Sequence, residues 1–336
     1  MRAVLVGLGA VGARCARQLL SSSLIDELVV LVRRRAPAAA ALVSIGSPSS
    51  VELVELSPGG FGRSLPGAGV VVLAAPGTTT FAREAVAQGV PVVSVADATD
   101  EVRSLLGLGT GARDRGVAVV AGAGMAPGLS CLLAAAAAEG MDEVNEVHVA
   151  TLGTGGPACA RRHHAALREM VEEWREGAWE RKVASSGREL VWFPDLGGAD
   201  CYRVERADPL LMVEAFPGLR RATTRAAESR RDRLTSWLPM LRPPHPEGTV
   251  GALRVEVRGR WADKAGTVVL GASGRPALVA GTVAAVAAEM AARRLLKPGA
   301  GGLASLVATP REALAELSRR GVRAEIFEGV GPAPTG

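Results

Sequence analysis

The segment Gly7-Leu8-Gly9-Ala10-Val11-Gly12 constrains this chain more than any other. It follows the short apolar run Ala3 to Val6 and precedes Val11 to Leu20, where apolar residues recur at helical spacing. Strand, tight turn and helix in that order leave few architectures open. In such a turn the first glycine permits the bend, the second lets a pyrophosphate approach the backbone, and the third lets helix and strand pack closely. The helix N-terminus adds unpaired N–H groups and the positive end of a dipole. The spacing assigns Gly7, Gly9, Ala10, Val11 and Gly12 to a dinucleotide-binding turn; the competing reading is a tight turn in a fold that has lost its ligand.

The pattern continues beyond the turn. Apolar runs at Leu28–Val32, Val51–Leu56, Gly69–Ala74, Val90–Val95 and Val117–Ala121 read as strands. Helical stretches lie between them: an Ala-rich one from Pro37 to Gly46, then Thr79–Gln88 and Thr99–Arg113. This alternation is that of an α/β fold with a doubly wound parallel sheet over residues 1–125. The texture then changes, and all five tryptophans lie beyond Thr151. Strand-like pieces (Val144–Thr151, Glu189–Phe193, Leu253–Arg258, Thr267–Leu270) alternate with charged stretches such as Arg161–Glu176, read as helical, giving an α+β domain over 126–275. A final segment, 276–330, holds a long apolar helix (Ala277–Leu296), a second helix (Pro310–Arg320) and a strand (Val322–Phe327), expected to pack back onto the first domain. The tail Gly329–Gly336 reads as loose. Trp174 and Trp179, five apart, cannot share one helix face and are assigned to packing.

Composition excludes several functions. Of 39 basic residues only Lys182, Lys264 and Lys297 are lysine, so 36 are arginine, in a chain equally rich in Ala and Gly. Arg33–Arg35 is the longest purely basic run, and no basic stripe is interleaved with aromatics, so no nucleic-acid partner is expected. Leu132–Ala138 and Ala277–Ala288 fall short of the roughly 18 apolar residues of a membrane span, and the N-terminal apolar run is broken by glycines and arginines, so neither membrane nor signal peptide is expected. The four cysteines are widely spaced, which fits a reduced, cytoplasmic setting and no metal.

Cofactor choice falls at the end of the second strand, where an acidic residue about 20 positions past the turn would bind the ribose of NAD. Val32 stands there, followed by Arg33, Arg34 and Arg35. A guanidinium suits a phosphate, so the expectation is NADP rather than NAD, with Arg33 or Arg34 on the 2′-phosphate; the alternative is three solvated arginines.

The glycine fingerprint, the strand ending in Ala74-Ala75-Pro76, the turn at Asp97 and the segment Met125-Ala126-Pro127-Gly128-Leu129 together resemble the saccharopine dehydrogenase-like family of reductases. The resemblance extends loosely through Leu152–Pro157, Ser186–Arg188, Trp192–Pro194, Gly197–Tyr202 and the Ala-rich C-terminal helix. It implies an N-terminal Rossmann domain, an inserted α+β substrate and oligomerisation domain, a homodimer, and hydride transfer to or from a carbon–nitrogen bond of an amino-acid-derived substrate. Ala75, Pro76, Asp97 and Met125 then line the crevice at the strand ends.

Acid/base candidates are few. Tyr202 is the single tyrosine and Arg206 follows four residues later, which excludes the Tyr-x-x-x-Lys reductases. His163 and His164, read as the head of a charged helix, are the best titratable pair. A similar pair occurs in dihydrodipicolinate reductase, but the Lys and the Pro-Ser-Gly-Thr run expected there are absent. His148 reads as structural, and His245 lies among prolines in a loop. Asp97 is either catalytic and crevice-facing or a helix-start residue. Arg161 and Arg162 are candidates for a substrate carboxylate. Two alternatives stay open: reduction of a C=O or C=C bond by the same architecture, or a non-catalytic dinucleotide-binding regulatory protein.

Overall fold

A computed structural model describes residues 1–44, 50–57, 59–240, 243–246 and 248–327. The loose tail expected at Gly329–Gly336 and the helix end expected at Gly46 lie outside them. The chain divides into two compact units, Met1–Gly128 with Ala277–Ala308, and Leu129–Pro276 with Thr309–Gly336. In chain order the first unit opens with β1 (Arg2–Val6), α1 (Ala10–Leu20), β2 (Glu27–Val32), α2 (Arg35–Ser44), β3 (Val51–Glu55), α3 (Gly60–Ser64), β4 (Ala68–Leu73), α4 (Thr79–Ala87), β5 (Val92–Ser94), α5 (Thr99–Leu106), α6 (Gly109–Asp114) and β6 (Ala118–Val120). The second follows with α7 (Leu129–Ala137), β7 (Glu143–Leu152), α8 (Pro157–Ala166), β8 (Met170–Arg175), β9 (Ala178–Val183), β10 (Glu189–Phe193), β11 (Gly197–Arg203), α9 (Asp208–Ala215), β12 (Arg221–Ala227), α10 (Arg230–Thr235), β13 (Gly251–Trp261) and β14 (Lys264–Gly274). The chain then supplies α11 (Pro276–Ala292), β15 (Gly299–Gly301) and α12 (Leu303–Leu306) to the first unit, and α13 (Pro310–Arg319) and β16 (Glu325–Phe327) to the second.

The first unit is the expected doubly wound sheet. Its strands run in the order β15-β6-β5-β4-β1-β2-β3, every pair parallel. Parallel strands are covered on both faces, which is why they read as unbroken apolar runs; Val70–Leu73 and Leu28–Leu31 are fully buried. The order reverses direction between β1 and β4, and the glycine turn follows β1 at that point. Within this unit α11 crosses α1 at Gly281, where a Cβ would stand 2.5 Å from the Cβ of Arg14 and 2.8 Å from the backbone N of Cys15. Burial, with Glu289 adding to it, pushes the Cys15 thiol up to about 12, so it stays protonated.

The second unit is a mixed sheet in the order β10-β11-β12-β7-β13-β14-β16, with β8 joining β12 and β9 joining β8. Three expectations are corrected here. Residues 161–176 are not one helix: α8 ends at Ala166, and β8 and β9 form a hairpin across Glu176-Gly177. Both turn residues have positive φ (46° and 85°), the requirement of a tight turn matched to strand twist, and burial along β8 alternates, with Val171 and Glu173 buried, instead of repeating every turn of a helix. Trp174 and Trp179 are cross-strand partners, ring centroids 5.1 Å apart and edge-on. The stretch Thr99–Arg113 is two helices, broken at Gly107-Leu108. Finally, residues 276–330 do not return as a block, because α13 packs on α7 and β16 pairs with β14, both in the second unit. Among the described residues no helix is long and apolar enough to cross a membrane.

Replacing Gly281 by valine should overpack the α1–α11 contact, at a cost of about 1–3 kcal/mol. A fall in the urea midpoint checks this; an unchanged midpoint would mean that the crossing is not tight.

Candidate functional site

The turn after β1 is built by its glycines, each for its own reason. Gly7 has φ +94°, and a Cβ there would lie 2.9 Å from Ala75 Cβ and 3.0 Å from the Ala74 carbonyl oxygen. A Cβ on Gly12 would overlap the Gly7 carbonyl, so only glycine lets α1 start so close to β1. Gly9 differs: nothing lies within 4 Å of the place its Cβ would take. No neighbour in the protein demands a glycine there, and that open space faces a helix start. Gly9 is the N-cap of α1, has no side chain to cap it, and no acidic residue stands in the first turn. The first N–H groups of a helix have no partner inside it, so Ala10 and Val11 begin a stretch of backbone donors with a positive dipole end.

Hydrogen bonds tie the neighbouring strand ends to this turn. Gly7 N–H donates to Leu31 O (2.9 Å), Ala74 N–H to Val6 O (2.8 Å), Val95 N–H to Leu73 O (3.1 Å) and Ala123 N–H to Ser94 O (2.6 Å). Ala75, Pro76, Asp97 and Met125 therefore follow adjacent strands at their carboxyl ends. The Ala75–Thr78 loop is fixed by Glu101, whose Oε1 accepts from the N–H groups of Gly77 (3.1 Å) and Thr78 (3.2 Å), while the Thr78 hydroxyl donates to Ala75 O (3.0 Å). Glu101 escaped notice in the sequence because nothing local marks a carboxylate that serves a loop 24 residues away. Asp97 precedes α5 by two residues; the N-cap is Ala98, so Asp97 does not cap the helix. The Met125 loop is closed by Gly124 N–H donating to Pro127 O (2.7 Å). Arg33 and Arg34 are exposed directly after β2, and Arg35 opens α2.

The remaining candidates belong to the second unit. His163 and His164 sit in the last turn of α8, not at its head, because Gly156 and Pro157 start the helix earlier. His164 Nε2–H donates to Leu238 O at 2.8 Å. The Nδ1 of His163 is shut off from water without a hydrogen-bond partner. Burial pushes its pKa down to about 4, with the Arg206 charge helping and Asp232 opposing. Arg162 is already engaged by protein carboxylates, contacting Glu205 and, at 3.3 Å, both oxygens of Glu169. Arg161 beside it is exposed.

Sequence reasoning missed Glu228. It follows β12, its carboxylate oxygens are shut off from water, and burial pushes its carboxyl up to about 7 against the pull of Ser185 and Arg233. The Arg233 guanidinium stacks over the Tyr202 ring at 4.1 Å. Asp232 lies close enough to shift both His163 and Glu228, so the segment through α10 links them. Among the described residues no group of three or more His, Cys, Asp or Glu is placed to hold a metal ion.

These two titrations have opposite signs. His163 binds its proton more weakly when folded, so it costs stability as pH falls from about 6.5 toward 4. Glu228 holds its proton more tightly when folded, so it costs stability as pH rises from about 4.5 toward 7. In thermal melts the advantage of His163→Gln over the parent should grow toward pH 4, and that of Glu228→Gln toward pH 7. Parallel curves for all three proteins would contradict both assignments.

No protein-family model matches this chain, and no curated protein matches its sequence. Its structure is similar to apo saccharopine dehydrogenase (L-Glu forming) from Saccharomyces cerevisiae, with 14% identity, 97% of this chain and 99% of that one covered, and a TM-score of 0.68. It also matches, at a TM-score of 0.49, C. glutamicum DAP dehydrogenase in complex with DAP, with 13% identity over 96% of this chain and 99% of that one. The first likeness is one of fold, and it bears out the saccharopine dehydrogenase-like architecture expected from the sequence.

Proposed function

We propose that this protein is an NADP-dependent oxidoreductase acting on a carbon–nitrogen bond, imine or secondary amine, of an amino-acid-derived substrate. One observation carries the reading: Gly9 is a glycine that the protein's own packing does not require, at the N-terminus of α1 and at the point where strand order reverses, where a doubly wound sheet binds its ligand. Gly7, Gly9, Ala10, Val11 and Gly12 would hold the pyrophosphate, and Ala75, Pro76, Asp97 and Met125 would border the nicotinamide. Arg33 and Arg34, exposed at the end of β2 where no carboxylate stands, would hold the 2′-phosphate. When bound, the cofactor would supply or accept the hydride.

An iminium carbon is already electrophilic, so the protein's share is positioning and control of protons. His163, kept neutral to about pH 4, and Glu228, able to keep a proton to about pH 7, are the groups suited to holding or taking up a proton. His164 is oriented by Leu238 O. Arg162 has a positioning role, bracing α8 through Glu205 and Glu169, which leaves Arg161 as the arginine open to a substrate carboxylate. A homodimer and a cytoplasmic setting accompany this reading.

Fluorescence titration with NADPH and NADH tests it. NADPH should bind at least about tenfold tighter, and Arg33→Leu/Arg34→Leu should remove most of that difference, as loss of charge-assisted hydrogen bonds implies. Gly9→Val should abolish binding of both cofactors while leaving the melting temperature within a degree or so, because no protein atom occupies that space. Equal affinities would sink the NADP assignment. NADPH oxidation with amine and carbonyl mixtures tests the chemistry, and binding without turnover would identify a regulatory protein.

A further inference from the structure

The second unit holds a charged cavity that the reading above does not use. Along three neighbouring strands the side chains alternate between two sheet faces. Val147 and Val149 of β7, Val255 and Val257 of β13, and Ala222 and Thr224 of β12 are buried, in strands that α7 and α9 contact. Their alternates form a polar lattice on the opposite face. Register sets Arg221 beside Glu146 and Arg258, Thr223 beside His148 and Glu256, and Arg225 beside Ala150 and Arg254. Strand β10 also contacts β13 and β14, which are not its neighbours in the sheet, and its Glu189 and Val191 wall the floor into a cavity of about 80 Å³.

Most charges here are matched. Glu256 binds Arg254 at 2.7 Å and Arg258 at 2.6 Å, Arg258 also reaches Glu146 at 3.3 Å, and His148 bridges Thr223 and Glu146 at 2.8 Å each. Arg225 is the exception. It is 9% exposed and spends Nε on Glu189 at 2.6 Å, yet its Nη1 is shut off from water without an acceptor. Buried polar atoms are ordinarily paired, and a buried guanidinium donor more so. Four arginines line the cavity against two lining carboxylates, Glu189 and Glu256, so it carries a net positive charge even with Glu146 at its edge.

We propose that this cavity binds a small oxyanion, a carboxylate or inorganic phosphate, received by the free edge of Arg225, with Arg221, four residues earlier on β12, lining the same cavity. A planar guanidinium fork matches the oxygens of either group, and the volume suits an anion of a few heavy atoms with a water or two. The site is made wholly by the second unit and does not depend on the dinucleotide reading.

Calorimetric titration of the whole protein with phosphate and, separately, with succinate at constant ionic strength tests the assignment. One saturable site per chain is expected, the tighter anion naming the source. Arg225→Met should weaken it at least about tenfold and Arg221→Met several-fold, while Arg168→Met, an exposed arginine elsewhere in the unit, should leave it unchanged. If Arg225→Met fails to fold by circular dichroism, Arg221→Met decides. Absence of saturable binding at millimolar anion, or parent-like affinity in the folded cavity variants, overturns the proposal. So does a dimer that Arg221→Met dissociates in a protein that binds neither anion, since a second copy would then cover this face.

Discussion

The grip on α1 is the contact on which the first unit depends. On one side Gly12 lets the helix begin against the Gly7 carbonyl; on the other Gly281 lets α11 lie against Val11, Arg14 and Cys15. Both contacts are backbone approaches that any side chain would prevent, so α1 is fixed in position and rotation with little apolar side chain between the elements. That precision is what a phosphate-binding helix start needs, because donors fixed in advance need no reordering on binding. Two glycines 269 residues apart in sequence thus define one helix.

The second unit solves a different problem. Its sheet has an apolar face and an opposite face where Val191, Phe193 and Cys201 pack on Ala150 and Ala252 beside a lattice of Arg, Glu, His and Thr held by half-buried ion pairs. Such pairs roughly repay the cost of taking charge out of water and add little net stability, but they set register, since a one-residue slip would bury the guanidiniums of Arg221 and Arg225 among valines. Glu173 of β8 and Arg203 of β11, at 2.8 Å, tie the β8–β9 hairpin to the rest of the sheet.

Much of the first unit was legible because parallel strands buried on both faces leave an unmistakable apolar signature, and the glycine turn anchors the count. The second unit was harder. Residues 170–183 alternate Val171 and Glu173 inward, and a buried glutamate at an inward position reads as surface until its arginine is known. Long-range pairing also hid the roles of Glu101, Arg162 and Glu228, each defined by residues or burial that local sequence does not reveal. The return of α13 to the second unit was invisible for the same reason: its amphipathic face names no partner. Gly9 was the opposite case, a residue whose importance rests on what is missing around it, and the spacing alone identified it.

The crossings of the chain between the two units have a bearing on biosynthesis. Each unit is interrupted, the first closing with Ala277–Ala308 and the second with residues from Thr309 onward. When the ribosome has made Gly128, the nascent Rossmann sheet still lacks β15 at its edge and α11 against α1. A chain emerging N-terminus first, the ordinary course for multidomain proteins, would thus present the first unit with the β6 edge uncovered and α1 without its α11 contact until residues 277–308 are made.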